Sequence, residues 1–148
     1  MWKLETGERI THWRDFRKSL DAMSLDLAIQ ATTEFWHSCP FNPYYLDPED
    51  PESWPSAWEL VAENYYCDLA KALGIVYTIH FSQHSTNLNL NPQIHIYNDT
   101  ESGYVYNLSV FAQGKYVVNF IDNTVVNIES INKKLKLKRC YNGKELKL

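Results

Sequence analysis

The spacing of apolar residues changes at Gly74, and this change constrains the fold more than any other feature of the sequence. Before Gly74 the apolar residues recur every three to four positions, as they do on amphipathic helices. After Gly74 they alternate with polar residues in five successive segments, IVYTIHFS, QIHIYND, GYVYNLSVF, KYVVNFI and TVVNIESI, as they do in strands. The pattern predicts an α+β fold in which two to three N-terminal helices pack on one face of a C-terminal antiparallel β-meander of five to seven strands.

The length of 148 residues predicts a single domain, with a helical part over 1–74 and an antiparallel sheet over 75–148. The clearest helix is predicted over 57–73, since Ser56-Ala-Trp-Glu59 matches a capping box and Gly74 a glycine stop. Five of the six prolines fall in the acidic loop 39–55, which excludes a helix or a central strand there. This loop is either a belt laid across the domain or a functional segment.

Several classes of protein are disfavoured by the sequence. No apolar run approaches the ~20 residues of a membrane span, and the first residues contain no hydrophobic signal core. Cys39, Cys67 and Cys140 are odd in number and widely spaced, which predicts reduced thiols and a cytoplasmic location. No cofactor is predicted, because glycine-rich phosphate loops, GxSxG and HExxH are all missing from the sequence.

Histidines on the predicted strands are the candidates for a metal site. If Ile94 faces the helices, the register places His80 opposite His95 on the polar face of the sheet, and His95 opposite Asn107. His84 lies in the adjoining loop. Imidazoles in such a row could bind a metal or relay a proton, whereas a solvated sheet face needs no function. A metal normally takes three or four ligands, so His80, His84 and His95 are candidates only and no metal is predicted.

The stretch NYYCDLAKALGIVYTIHF resembles the cysteine-bearing helix of transglutaminase-like and papain-like folds. In those families the helix carries the nucleophile, and the following antiparallel strands carry a histidine and then Asp or Asn. The resemblance implies Cys67 as nucleophile, His95 as base and Asn107 as the group that orients the base. Two expectations oppose it: Cys67 would lie deep inside the helix 57–73, and His95 would point away from that helix. A helix break at Asn64-Tyr65 would remove the first objection.

The charge is divided unevenly along the chain. Residues 1–132 contain seventeen acidic and seven basic residues, whereas residues 133–148 contain seven basic and one acidic residue. Asn142-Gly143 predicts a hairpin in this basic segment. Its cations are candidates for binding a partner: Lys134, Lys136, Lys138, Arg139, Lys144 and Lys147. Docking onto the acidic body, or protection of a sheet edge, is favoured over nucleic acid, because no aromatic residue interleaves the lysines.

A second resemblance concerns the origin of the chain. The Trp54-Pro-x-x-Trp58 element and the run YCDLAKALG from Tyr66 to Gly74, with the upstream WRDFRKSL, resemble short uncharacterised proteins of large tailed bacteriophages of myovirus or cyanophage type. This resemblance implies a host cytoplasm or a virion, and no activity.

The sequence as a whole therefore predicts a non-enzymatic protein-interaction module, a phage accessory or structural protein that binds a protein partner or a second copy of itself. The alternatives are a cysteine-dependent enzyme using Cys67, His95 and Asn107, and a nucleic-acid contact through the basic hairpin.

Overall fold

A computed structural model describes residues 1–43, 45–131 and 134–148. In this part of the chain five α-helices precede five β-strands: α1 Thr6–Leu20, α2 Leu25–His37, α3 Ala57–Val61, α4 Asp68–His80, α5 Gln83–Asn87, β1 Gln93–Asp99, β2 Val105–Phe111, β3 Tyr116–Ile121, β4 Thr124–Val126 and β5 Leu135–Tyr141. The strands form an antiparallel sheet in the order β4-β3-β2-β1-β5. The helices pack against this sheet, so the predicted α+β fold is confirmed. Among the described helices none has the length and apolar content that a membrane crossing requires.

Gly74 lies inside a helix and does not end one. Helix α4 continues through Gly74 to His80, so the predicted strand IVYTIHFS and the predicted helix 57–73 are both wrong. The glycine is needed for another reason: a Cβ atom there would lie 2.4 Å from the indole ring of Trp36 on α2. The missing side chain therefore allows α2 and α4 to approach closely.

Helix α4 is buried on nearly every side, which explains why its sequence resembles a strand. Residues 72–79 are all buried, so the helix has no polar stripe to reveal its period. The two hydroxyls in this stretch have partners: Tyr77 donates to the Pro55 carbonyl oxygen at 2.8 Å. Thr78 Oγ1 accepts hydrogen bonds from Trp13 Nε1 at 3.0 Å and from Trp36 Nε1 at 2.9 Å. It donates to the Gly74 carbonyl oxygen at 2.7 Å. A single side chain thus joins α1, α2 and α4.

The register of the sheet differs from the predicted one by a residue. Ile94 pairs with Ser109 and Ile96 with Asn107, so these four residues face the helices. Ser109 confirms this face, because its hydroxyl donates to the Ala72 carbonyl oxygen of α4 at 2.7 Å. A shift of one residue moves every side chain of a strand to the other face.

The outer face of the sheet consequently carries a second apolar cluster. Tyr97, Leu108, Val110 and Val117 are buried there, although the predicted register, with Asn107 on the polar face, would put Leu108 and Val110 on the helix side. Partly buried residues of the following segments cover them: Ile128, Ile131 and Leu135. The outer face is therefore apolar for much of its area, and the prediction that this face is polar is wrong.

Candidate functional site

Cys67 lies at the start of a helix. The capping box predicted at Ser56 is present, since its hydroxyl contacts both the main-chain nitrogen and the carboxylate of Glu59, but the helix it caps ends at Val61. The chain then turns at residue 62 and bends at residue 64, and Tyr66 forms a parallel β-bridge with Phe41. Cys67 is the N-cap residue of the 13-residue helix α4. The expectation that Cys67 lies deep inside a helix is thus wrong, and the positive end of the α4 dipole is directed at this residue.

A buried arginine holds the segment that leads to Cys67. Arg9 is 7% exposed, and its guanidinium donates hydrogen bonds to the carbonyl oxygens of Val61 and Glu63. It also donates to the carbonyl oxygens of residues 2 and 4. The Tyr66 hydroxyl donates to the same two oxygens, of Val61 and of Glu63. These bonds satisfy the carbonyl oxygens of Val61 and Glu63 between α3 and α4, before the β-bridge at Tyr66.

A cavity of about 690 Å³ opens beside Cys67. Its walls come from the proline-rich loop, the start of α4, and the end of the β1–β2 turn with the start of β2. The described residues that line it are Phe41, Pro43, Tyr45, Leu46, Asp47, Pro48, Cys67, Asp68, Leu69, Gly103, Tyr104, Val105 and Asn107. Its volume lies in the range typical of sites for small molecules or side chains.

The proline-rich loop is pinned across the domain as a belt. Trp54 is buried, donates from its indole to the Asp47 carbonyl oxygen, and packs edge-on against Tyr141 of β5. The Tyr141 hydroxyl donates to the Pro48 carbonyl oxygen at 2.7 Å. The belt hypothesis thus fits the structure, and the same loop also forms one wall of the cavity.

Asn107 lines the cavity and has an unused, buried hydrogen-bond acceptor. The residue is 8% exposed, and its side-chain oxygen Oδ1 is buried without a hydrogen-bond partner among the described residues. A buried amide oxygen without a donor costs free energy, so such groups are commonly satisfied by a ligand or water. Of the three predicted catalytic residues, Cys67 and Asn107 line the same cavity.

His95 lies on the other face of the sheet. It pairs with Leu108 in β2 and with Cys140 in β5, which places it on the outer face. Its Nε2 atom is 2.8 Å from Gln93 Oε1, and burial lowers the pKa of the imidazole. The predicted pairing of His95 with Asn107 is wrong. In the true register His95 pairs with Leu108, the residue next to Asn107, and neighbouring residues of a strand face opposite sides of the sheet. The expectation that His95 points away from the cysteine helix is met.

A network that the sequence did not reveal connects the wall of the cavity to α2. Asn119 of β3 donates from Nδ2 to the carbonyl oxygens of Asp68 and Asn107. The main-chain N–H of Asn123 donates to His37 Nδ1, so Nε2 carries the proton and donates to Asn119 Oδ1 at 2.9 Å. Asn119 adopts φ +71°, a left-handed conformation that asparagine tolerates better than most residues. The signal for this network in the sequence is Asn119 itself, an asparagine within an otherwise apolar strand.

The remaining histidines do not form a metal site. His80 ends α4, where burial lowers its pKa, and His84 Nε2 lies 2.9 Å from the Leu20 carbonyl oxygen. In the ranges 1–43, 45–131 and 134–148, no three His, Cys, Asp or Glu side chains group as metal ligands do. His80, His84 and His95 are therefore not grouped as the ligands of one metal ion.

The basic C-terminal segment does not form a hairpin. Strand β5 instead pairs with β1 as an edge strand, and residues 142–147 turn back on the domain. Several of its cations contact acidic or carbonyl groups: Arg139 with Glu49 at 2.9 Å, Lys134 with Glu101 at 3.1 Å, and Lys147 with the carbonyl oxygens of Glu52 and Trp54. These contacts support the hypothesis that the segment docks onto the acidic body.

The Arg139–Glu49 pair itself is expected to add little stability. Both side chains are more than half exposed, so water and salt screen the attraction. We predict that Arg139→Gln leaves the midpoint of urea unfolding unchanged within error. A clear drop in the midpoint at low salt would show that the pair fixes the belt to β5.

The fold is similar to a known protein structure, LapG of Legionella pneumophila in its calcium-bound form. The similarity covers 95% of this chain and 78% of that chain, with a TM-score of 0.72 and 11% sequence identity. LapG is a transglutaminase-like cysteine protease, so the likeness agrees with the transglutaminase-like resemblance of the sequence. At this identity the likeness shows the fold alone. No family model matches the sequence, and no curated protein matches it.

The name of that LapG structure includes bound calcium. Calcium takes six to eight oxygen ligands, several of them carboxylates. The described part of this chain contains no group of three acidic side chains placed to hold a metal ion. No calcium site is therefore assigned.

Proposed function

We propose that the protein acts through Cys67 and the cavity beside it, on a transglutaminase-like scaffold. The position of Cys67 at the start of α4 supports this proposal, and so does the similarity to LapG. The basic C-terminal segment is the weaker candidate, because several of its cations already contact the domain. The functional site that we propose is thus the one around Cys67, the nucleophile of the cysteine-enzyme hypothesis.

The mode of action that the geometry supports best is binding of a polypeptide without turnover. A cysteine nucleophile needs a base within hydrogen-bond reach, about 3 Å, to accept its proton. The observation that carries the proposal is the sheet wall opposite Cys67: Asn107 lies there, and no imidazole is among the described lining residues. An amide cannot take up a proton at neutral pH. The cavity therefore offers shape, aromatic surface, a hydrogen-bond acceptor and the carboxylates of Asp47 and Asp68, but no imidazole among its described lining residues.

A second candidate is cysteine-dependent acyl transfer at the same cavity. The N-terminus of α4 favours it, because a helix N-terminus stabilises a thiolate and the oxyanion that forms when sulfur attacks a carbonyl carbon. In this case the Cys67 sulfur would form a thioester with the carbonyl carbon of the substrate amide. The C–N bond of that amide would break, and its amine would leave with the proton of the thiol. The proton would have to travel through water or through the substrate itself.

A test with 4-nitrophenyl acetate separates the two candidates. In a Cys140→Ser background, which removes the exposed thiol, we predict that nitrophenol release ends at one equivalent per chain and that mass spectrometry finds acetyl on Cys67 only. Cys39 serves as the internal control, because burial raises its pKa to about 12 and keeps it protonated. Continued release that Cys67→Ser abolishes would contradict binding without turnover and support acyl transfer.

The interaction partner, the phage origin and a place in the bacterial cytoplasm or a virion stay predictions. Chemical modification of Cys67 tests most directly whether a polypeptide partner binds in the cavity. If the cavity binds polypeptide, N-ethylmaleimide on Cys67 should block that binding, because the added ring occupies the cavity. Unchanged binding after complete modification of Cys67 would move the interaction to another surface.

A further inference from the structure

We propose that a surface on α1, α3 and the end of α4 binds an acidic segment of a partner polypeptide, through a carboxylate that neighbours an apolar side chain. This surface, called here the Arg17 surface, consists of Trp13, Arg14, Arg17, Trp58 and Phe81. None of these residues is among the described lining of the Cys67 cavity, so the inference goes beyond the proposed function. Two sequence segments without a place in the Cys67 site meet there: WRDFRKSL in α1 and the element that ends at Trp58.

Two large rings of the Arg17 surface are open to solvent. Trp58, in the first turn of α3, is 47% exposed, and Phe81, which follows α4, is 38% exposed. The two rings stack with their centroids 6.3 Å apart, and the Trp58 ring meets the buried Trp13 ring edge-on at 5.2 Å. Aromatic rings are enriched at the centre of protein interfaces, because covering one removes a large apolar area from water. Trp58 and Phe81 therefore provide the apolar half of a docking surface.

A guanidinium lies over the rings of this surface. The Cζ atom of Arg17 is 4.2 Å from the ring centroid of Trp13 and 5.4 Å from that of Trp58. Across residues 1–43, 45–131 and 134–148, Arg17 Nε has no hydrogen-bond partner and no carboxylate lies within ion-pair distance of this side chain. A guanidinium that stacks on a ring keeps its N–H groups in its own plane, where they can bind a carboxylate. Because Nε is buried, this contact falls to the terminal amino groups.

The charges around Arg17 favour an anion. Burial lowers the pKa of the Arg17 guanidinium most, and the positive charge of Arg14 lowers it further, whereas Asp21 raises it. Asp21 is already bound elsewhere, since its Oδ1 atom accepts a hydrogen bond from the main-chain nitrogen of Gln83 at 2.9 Å. Arg14 is more than half exposed and has one distant contact, with Asp15 at 3.8 Å. A carboxylate from a partner would offset the repulsion between the two arginines.

The chemistry of the Arg17 surface selects a polypeptide over a nucleic acid. A nucleic-acid strand carries a phosphate at every nucleotide, so its binding requires many cations. The surrounding body is acidic, with seventeen acidic and seven basic residues over 1–132, and would repel such a series of charges. A single carboxylate can instead contact Arg17 locally while an adjacent apolar side chain covers Trp58 and Phe81.

The test compares two peptides that differ only in the anion. Acetyl-Gly-Glu-Phe-Gly-amide and acetyl-Gly-Gln-Phe-Gly-amide are titrated at millimolar concentration into ¹⁵N-labelled full-length protein. The indole N–H signal of Trp58 and the amide signal of Phe81 are followed. We expect the glutamate peptide to bind about fivefold more tightly, as for a single ion pair near a protein surface. Added salt should reduce this preference, because it screens the attraction.

Variants of the surface separate its charged half from its apolar half. Arg17→Gln should remove the preference for the glutamate peptide, so that both peptides bind equally. Arg139→Gln is the matched control, because Arg139 is an exposed arginine of β5 that pairs with Glu49, and it should retain the fivefold preference. Trp58→Ala should weaken the binding of both peptides by at least about fivefold.

Each other outcome overturns a stated part of the proposal. Equal binding of both peptides by the parent protein, a comparison that needs no variant, would overturn the role of the carboxylate. No shift of the Trp58 and Phe81 signals with either peptide would overturn the docking surface and leave the Cys67 function standing. A short oligothymidylate that shifts them at lower concentration than the glutamate peptide would make nucleic acid the partner. Shifts with protein concentration alone would make a second copy of this chain the occupant.

Discussion

Gly74→Ala is expected to lower the free energy of unfolding by about 3 kcal/mol, the upper end for overpacking a core. The added methyl group would lie 2.4–2.5 Å from three atoms of the Trp36 ring, much closer than the contact distance of carbon atoms. The ring cannot move away freely, because its Nε1 atom donates to Thr78 on the same helix. Urea unfolding followed by circular dichroism measures the change.

Gly7→Ala is the matched control for this substitution. Gly7 lies in α1, and no heavy atom is within 4 Å of the position that its Cβ would take. The change should therefore be neutral or slightly stabilising, as alanine is the better helix former.

Gly74→Asn distinguishes the two interpretations of position 74, a helix stop or a close contact between helices. Asparagine suits a left-handed helix stop but not a tight contact within a helix. An asparagine variant as stable as the parent would contradict the observed path of α4.

Arg9→Met is expected to lower the free energy of unfolding by about 3 kcal/mol, since buried hydrogen bonds from a charged donor are lost. The guanidinium donates to four carbonyl oxygens and is 7% exposed. Methionine fills a similar volume but donates nothing. Because two of these oxygens belong to the segment before Cys67, the substitution should also broaden or shift the amide signals of Tyr66 and Cys67.

Arg14→Met is the control for the removal of an arginine from the same helix. Arg14 has one distant ion pair, with Asp15 at 3.8 Å, and more than half of its side chain is exposed. Its replacement should change the unfolding free energy by less than about 0.5 kcal/mol. If Arg9→Met proved as mild as Arg14→Met, Arg9 would not hold the segment between α3 and α4.

The sequence predicted the fold class because its strongest signals are local. The capping box at Ser56 and the alternation in β1, β2 and β3 each depend on residues close in the chain. The helix after Gly74 was missed because a helix buried on all sides shows no amphipathic period. Its glycine resembled a stop, whereas the actual constraint is the Trp36 ring, which is distant in sequence.

The candidate site could be predicted only in part. A resemblance predicts Cys67 as the nucleophile, and the segment at the helix break before it is hydrogen-bonded by Arg9, 58 positions from Cys67. The resemblance predicts Asn107 as the partner of an imidazole, but the described residues that line the cavity with it include no histidine. The choice of His95 depended on a register, and register is set by the turn between the strands and by packing on both faces, which alternation alone does not reveal.

The central claim is that Cys67 and His95 are separated by the sheet, so that the thiol works without an imidazole. The pH profile of Cys67 alkylation by iodoacetamide, resolved by peptide mass spectrometry, tests this most directly in the parent and in His95→Gln. We predict superimposable profiles, because His95 contacts Gln93 on the outer face. A profile displaced by the substitution, or a rate that falls by about tenfold or more, would mean that His95 is the base of Cys67 and would contradict the account.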